Sequence, residues 1–206
     1  MTVADMSTIN PNAAKEISKK LHDEGIKSIE IPVMGGPNVA INGKLVLMAS
    51  GDKESFERFS KVFNTIANKR FFLGESGSAH SIKLAMNLQI SLLALSLSEG
   101  IMLTKKAGFD PEIFLEILNS TYFSTGMSQN KAFKMIKDEY QPTFTLKNMK
   151  KDLDTIIASA KDFDAKLPIA ERANEIYKQA LDAGFGEIDY TGILAYIKKL
   201  SETKNL

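Results

Sequence analysis

Lys83 and Asn87 stand in a stretch, HSIKLAMNLQISLLALSLSEGIML, that is otherwise mostly apolar. Four residues make about one helical turn, so the two side chains leave one face, and His80 lies a turn earlier on it. Lysine is seldom fully buried without a partner or a task. A lysine partly withdrawn from water has its pKa drawn down, which suits acid/base work on a hydroxyl or a carbonyl. The plainer reading is a solvated lysine whose stem covers apolar surface. A helix apolar nearly all round argues for burial instead.

Three more stretches could carry chemistry. In GESGSAH, Gly74, Ser76, Gly77 and Ser78 fall where a strand ends and the long helix begins. The free N–H groups and partial positive charge of a helix N-terminus attract carboxylate or phosphate, although a serine-capped turn reads the same way. In IPVMGGPN, Gly35 and Gly36 directly follow a strand. Without a Cβ their backbone can approach a ligand closely, or can simply serve a tight turn. In FTLKNMKKDLDTIIASA, Lys151-Asp152-Leu153 sit on a helix and by themselves describe a charged face.

The elements that must position these residues follow from periodicity and capping. Strands are expected at Thr2–Met6, in IKSIEIPV, in KLVLMAS and in KRFFL, and helices at Pro11–His22 and about Asp52–Ile66. Asn10 is the expected N-cap of the first helix, with Pro11 at its first position. That alternation makes an α/β layer. From Ser78 to Lys106 one helix of about 43 Å is expected, at 1.5 Å per residue. Helices then follow from Asp110-Pro111, at Ser128–Met135, Leu146–Phe163, Pro168–Ala183 and Thr191–Lys199, with no β-run after residue 75. The expected fold is an α/β remnant of a Rossmann-type domain, residues 1–75, joined by the long helix to an all-α domain, residues 76–206.

Composition excludes several classes. Lys plus Arg is 26 and Asp plus Glu 25, a net charge of +1, which gives no electrostatic case for nucleic acid or an anionic membrane. The absence of cysteine and the presence of only two histidines leave no disulfide and no expected metal centre. The start, MTVADMSTINPNAAK, has no basic region followed by an apolar run. The stretch from Leu88 to Leu103 is interrupted by Gln89, serines, Glu99 and Gly100, so it reads as a buried helix and not a span. A cytoplasmic protein is expected.

In their order along the chain, DMSTINP, IPVMGGP, GxxGxAHxxKxxxN and FxLxxMxKDL resemble successive signatures of the β-hydroxyacid dehydrogenases, the family of 3-hydroxyisobutyrate dehydrogenase. The resemblance runs from about Ala4 to the end and includes AGFDPE and AGFGEIDYTGIL. It implies that Lys83 is the catalytic acid/base at the substrate hydroxyl, and that Asn87 is a partner holding that hydroxyl or the lysine. It implies that Gly35 and Gly36 present amides to the substrate carboxylate. Thr8 and Lys151 would touch the nicotinamide half of NAD or NADP, to which the hydride chemistry belongs.

The sequence also departs from that pattern. Met34 stands where the family usually has a serine, and Ala79 replaces a usual glycine. AHSIKLAMN is also similar to the catalytic helix of 6-phosphogluconate dehydrogenase, but Ile90 stands where that enzyme has a glutamate. No GxGxxG pyrophosphate turn occurs in the chain. The resemblance therefore implies a truncated NAD(P)-dependent 3-hydroxyacid dehydrogenase, acting reversibly on a small 3-hydroxy acid when the cofactor half is present. That half could be a separate chain, and dinucleotide binding by this chain alone should be weak or absent. A non-enzymatic helical dimerisation module of the same descent is the alternative. Either way a homo-oligomer built through the helical part is expected, with the Thr2–Met6 edge of an about four-stranded sheet left open.

Overall fold

The structure is a computed structural model and describes residues 1–202. Packing divides the chain into two compact units. The first comprises Met1–Asn87 with Asp154–Leu167, and the second Leu88–Leu153 with the chain from Pro168 onward. These limits run through two helices and do not coincide with residues 75 and 76, where the β-runs give way to helices.

In the first unit, strand β1 (Thr2–Asp5) leads through helix α1 (Pro11–Asp23) to β2 (Lys27–Glu30), which pairs with β1 in parallel. Asn10 caps α1 as expected, its side chain accepting from Asn12 and Ala13 N–H. The run IKSIEIPV does not continue as one strand. It breaks at Pro32, which has no N–H to give a ladder, and resumes as β3 (Val33–Met34). A short helix α2 (Pro37–Ile41), unexpected from the sequence, then turns the chain into β4 (Leu45–Gly51).

β4 runs antiparallel to both β2 and β3 and parallel to β5 (Ala67–Phe72), so the sheet has five strands and is mixed. The expected helix over Asp52–Ile66 is α3 (Lys53–Arg58) and α4 (Ser60–Ile66), interrupted at Phe59. One face of the sheet buries Ile29, Ile31, Leu47, Ala49, Phe63 and Ala67 together. β1 pairs with β2 alone and is an edge strand among the described residues.

Helix α5 (Ser78–Lys106) has the expected bounds. By length and mean hydropathy it could cross a membrane. Ala79, Leu84, Ala94, Leu97 and Ile101 along it are buried within this chain.

In the second unit α6 (Pro111–Asn119) starts at Asp110 and Pro111, also as expected. The single helix expected at Ser128–Met135 is two short ones, α7 (Gly126–Asn130) and α8 (Ala132–Ile136). α9 (Leu146–Asp162) and α10 (Pro168–Ala180) follow. The chain then kinks at Gly184 (φ 93°), passes a 3-10 turn at Tyr190–Gly192 and ends in α11 (Ile193–Glu202). Leu97, Ile101, Leu115, Met135 and Leu194 form the core of this unit.

Asp189 ties the last turn to the rest of the second unit. Its buried carboxylate accepts from Thr143 and Thr191 and pairs with Lys131 at 3.0 Å, while Lys131 also lies over the Tyr190 ring. Burial pushes the Asp189 carboxyl up, but those hydrogen bonds and the lysine charge outweigh it and hold it below the usual range.

Candidate functional site

The first turn of α5 is built around a carboxylate from β2. Glu30 is buried, and its Oε1 accepts from the Ser76 hydroxyl at 2.6 Å and from Gly77 N–H at 2.8 Å. Its Oε2 accepts from Ser50 at 2.6 Å, and Ser50 in turn accepts from Ala79 N–H at 3.0 Å. The partial positive charge at the start of α5 is thus met by the chain's own anion. GESGSAH is a capped turn closed from within, not a site for an outside ligand. Sequence reading missed Glu30 although a signal existed, a charged residue alone between Ile29 and Ile31.

His80, one turn before Lys83, is wholly buried. Its Nε2 lies 3.6 Å from Asp5 Oδ2 and 3.9 Å from Glu30 Oε2, and neither ring nitrogen has a hydrogen-bond partner. Burial pushes the imidazole below its ordinary value, against the opposing pull of the Glu30 and Asp5 charges.

Lys83 is half-buried, and its ammonium donates to the Val33 carbonyl at 2.9 Å and to Met34 Sδ at 3.1 Å. The helix therefore aims its lysine at the end of β3, where Gly35 and Gly36 follow. Gly35 takes φ 143°, and a Cβ there would lie 2.7 Å from Val39 Cγ1 and 2.9 Å from Leu45 Cδ2. Gly36 takes φ 74° at the start of α2. Both glycines are exposed, so their backbone faces solvent beside the lysine's anchoring strand. Asn87, one turn beyond Lys83, is buried. Thr8 is half-buried in the loop after β1, which Asp5 Oδ1 holds by accepting from Ser7 N–H and from the Ser7 hydroxyl. The first unit thus contains Lys83, Asn87, Gly35, Gly36 and Thr8. Lys151 belongs to the second unit, largely exposed and paired with buried Asp152 at 2.7 Å.

Three of the four strand-to-helix junctions of the first unit are capped by a side chain of this protein, and the start of α2 at Gly36 is not. Asn10 serves α1, Asp52 serves α3 through Ser55 N–H, and Glu30 serves α5.

The matches of this chain are to dinucleotide-linked dehydrogenases. Residues 77–197 match the domain family described as the NAD-binding domain of NADP-dependent 3-hydroxyisobutyrate dehydrogenase, and residues 1–74 the NAD binding domain of 6-phosphogluconate dehydrogenase. Glyoxylate/succinic semialdehyde reductase 2 of Arabidopsis thaliana, a chloroplastic protein, is 31% identical over 94% of this chain and 54% of its own length. Reductase 1 of the same plant is 30% identical over 94% of this chain and 67% of its own. A solved 3-hydroxyisobutyrate dehydrogenase from Salmonella typhimurium has the same fold, with a TM-score of 0.88 at 24% identity over 95% of this chain and 69% of that one. The chain belongs to the β-hydroxyacid dehydrogenases, an NAD(P)-dependent family. It spans between about half and two thirds of the length of these curated relatives.

A pyrophosphate needs helix amides that no side chain already occupies. Asn10, Asp52 and Glu30 already occupy amides at the starts of α1, α3 and α5, whereas the start of α2, at Gly36, has no side-chain cap.

Two outcomes follow for the first turn of α5. Glu30→Ala leaves the buried Ser50 hydroxyl and Gly77 amide, and the half-buried Ser76 hydroxyl, without their acceptor, and should cost about 2 kcal/mol or more, since each buried group costs about 1–3 kcal/mol. Glu30→Gln keeps an acceptor oxygen and should cost less. Urea unfolding followed by circular dichroism compares the two, and equal stabilities of Glu30→Ala and wild type would refute the assignment.

His80 binds a proton less readily folded than unfolded, so the unfolded state takes up more protons below the ordinary histidine pKa of about 6.5. Stability should therefore be lost as pH falls from that value toward the folded pKa, by no more than about 1.4 kcal/mol per pH unit. His80→Asn should flatten that part of the stability profile, and a slope unchanged in the variant would count against it.

Proposed function

We propose that this chain carries the substrate and proton-transfer side of an NAD(P)-dependent 3-hydroxyacid dehydrogenase. The observation that carries the reading is the Lys83 ammonium seated 2.9 Å from the Val33 carbonyl, on the strand that leads into the exposed Gly35–Gly36 turn. A proton-handling group and a backbone able to meet a carboxylate thereby share one end of β3. Lys83 Nζ takes the hydroxyl proton of a small 3-hydroxy acid during oxidation and returns it during reduction. Asn87 holds the hydroxyl or the lysine, and the Gly35 and Gly36 amides hold the substrate carboxylate. Thr8 and Lys151 orient the nicotinamide. NAD(P) supplies the hydride chemistry, and its pyrophosphate is held by residues outside those described.

Met34 distinguishes this substrate end. Its thioether is a weak acceptor for the Lys83 ammonium and cannot donate a hydrogen bond to a carboxylate. Carboxylate recognition rests on the glycine backbone alone in this reading.

We infer, too, a homo-oligomer through the second unit. Leu103, Phe109, Ile113, Ile117, Tyr122 and Phe123 are all exposed within it, and large apolar side chains gathered in this way mark contact surfaces.

The decisive experiment supplies a GxGxxG-containing domain of a family member, as a fusion or a second chain, and assays 3-hydroxy acids with NAD and NADP. Activity should appear, and Lys83→Ala should lower turnover about 10²- to 10⁴-fold, the usual worth of general acid/base catalysis. Undiminished turnover in Lys83→Ala would end the assignment, and no activity with any added domain would favour a purely structural module. Light scattering on the wild-type chain tests the assembly. A mass well above 22.7 kDa at micromolar concentration is expected, and a clean monomer would exclude the oligomer.

A further inference from the structure

We propose that His80 is a positioning residue whose proton decides how firmly the Asp5–Thr8 loop is held against the first turn of α5. Buried polar groups are nearly always hydrogen-bonded, and the His80 ring, fully enclosed with both nitrogens unpartnered, is an exception among the described residues. Two carboxylates face it, Asp5 from β1 and Glu30 from β2. On its own helix Lys83 follows a turn later, with its ammonium on the Val33 carbonyl. From α1, the stem of Lys15 packs beside Gly77, in the turn before His80.

The two carboxylates are not equivalent. Glu30 already accepts from Ser50, Ser76 and Gly77 with both oxygens, and it is pinned between β2 and α5. Asp5 uses Oδ1 for Ser7 and turns Oδ2 to the imidazole at 3.6 Å, just outside hydrogen-bond range. Asp5 is also about one-third exposed and stands at the end of an edge strand, so it has room to move. A protonated His80 gains a charge-assisted bond by drawing Asp5 Oδ2 a few tenths of an ångström closer. The Ser7 amide and hydroxyl travel with Asp5, and Thr8 is the next residue. A neutral ring exerts no such pull, and burial keeps the ring neutral until the pH is below its ordinary range.

The consequence for dinucleotide binding rests on the proposed placement of Thr8 beside the nicotinamide. The coupling of His80 to the loop does not, and two readouts separate them. The full chain is followed by ¹H–¹⁵N NMR from about pH 8 downward, with His22→Gln identifying which of the two imidazole signals is His80. The His80 ring should titrate with a midpoint below about 6.5. The Ser7 and Thr8 amide signals should shift with that same midpoint. Asp5→Asn should abolish the Ser7 and Thr8 response and lower the His80 midpoint further, because a charge that favours the protonated ring is gone. Ser7 and Thr8 signals that stay flat while His80 titrates would overturn the proposal, as would a ring that stays neutral until the chain unfolds.

NADPH titrations above and below the His80 midpoint, on the chain joined to the added GxGxxG-containing domain, form the second readout. An affinity that changes across the midpoint in the wild type but not in Asp5→Asn supports both readings. A responsive loop with an NADPH affinity that stays the same across the midpoint supports the coupling and removes Thr8 from the cofactor side.

Discussion

Glu30 meets the N-terminus of α5 in a buried, fully hydrogen-bonded contact, and the candidate site depends on it. A long helix concentrates unsatisfied N–H groups and partial positive charge at its start. Glu30 answers both with one carboxylate, and does so from the end of β2, so the helix is fixed to the sheet at a defined rotation. Ser50, opposite Glu30 in the β2–β4 ladder, extends the contact to Ala79. Helical geometry then carries that rotation forward: His80 faces Asp5, and a turn later Lys83 reaches the Val33 carbonyl. A helix free to rotate by one residue would carry Lys83 about 100° round the axis.

How much of this could be read beforehand depended on whether a residue's partner was local. Asn10-Pro11 and Asp110-Pro111 announce helix starts through chemistry completed within three residues, and both are where they were expected. The bounds of α5 were legible for the same reason, from an apolar run closed by two lysines and Gly108. The partner of Glu30 is 47 residues away, and nothing short-range marks it beyond the oddity of a charge inside an apolar strand. The division of IKSIEIPV at Pro32 was open to inspection, but the mixed sheet was not. Antiparallel pairing of β4 with β2 and β3 follows from α2 turning the chain through GGPN, where a glycine pair equally describes a plain turn.

The caps also bear on what the chain can bind. In dinucleotide-binding folds, the helix start after a parallel strand is left open so that backbone amides meet the pyrophosphate. Here the starts of α1, α3 and α5 are each filled by Asn10, Asp52 or Glu30. Filling them stabilises the unit and removes the amides from ligand binding in the same act. The family's cofactor and these three filled helix starts are consistent if the unit provides the substrate end of the site and the phosphates are held elsewhere.

Lys83 shows how an ammonium at the proposed substrate end can be held in place by the fold itself. A half-buried ammonium needs acceptors, and a fixed carbonyl provides a strong one without adding a second charge. Val33 holds the lysine at the edge of the glycine turn through a bond made by backbone, so the side chain at that position is free to vary. Met34, the next residue, contributes only a soft sulfur contact. Position 34 can therefore change the chemistry offered to a substrate with little effect on where the lysine sits. The strand carbonyl sets the position of the Lys83 ammonium, and the side chain beside it sets what that ammonium meets.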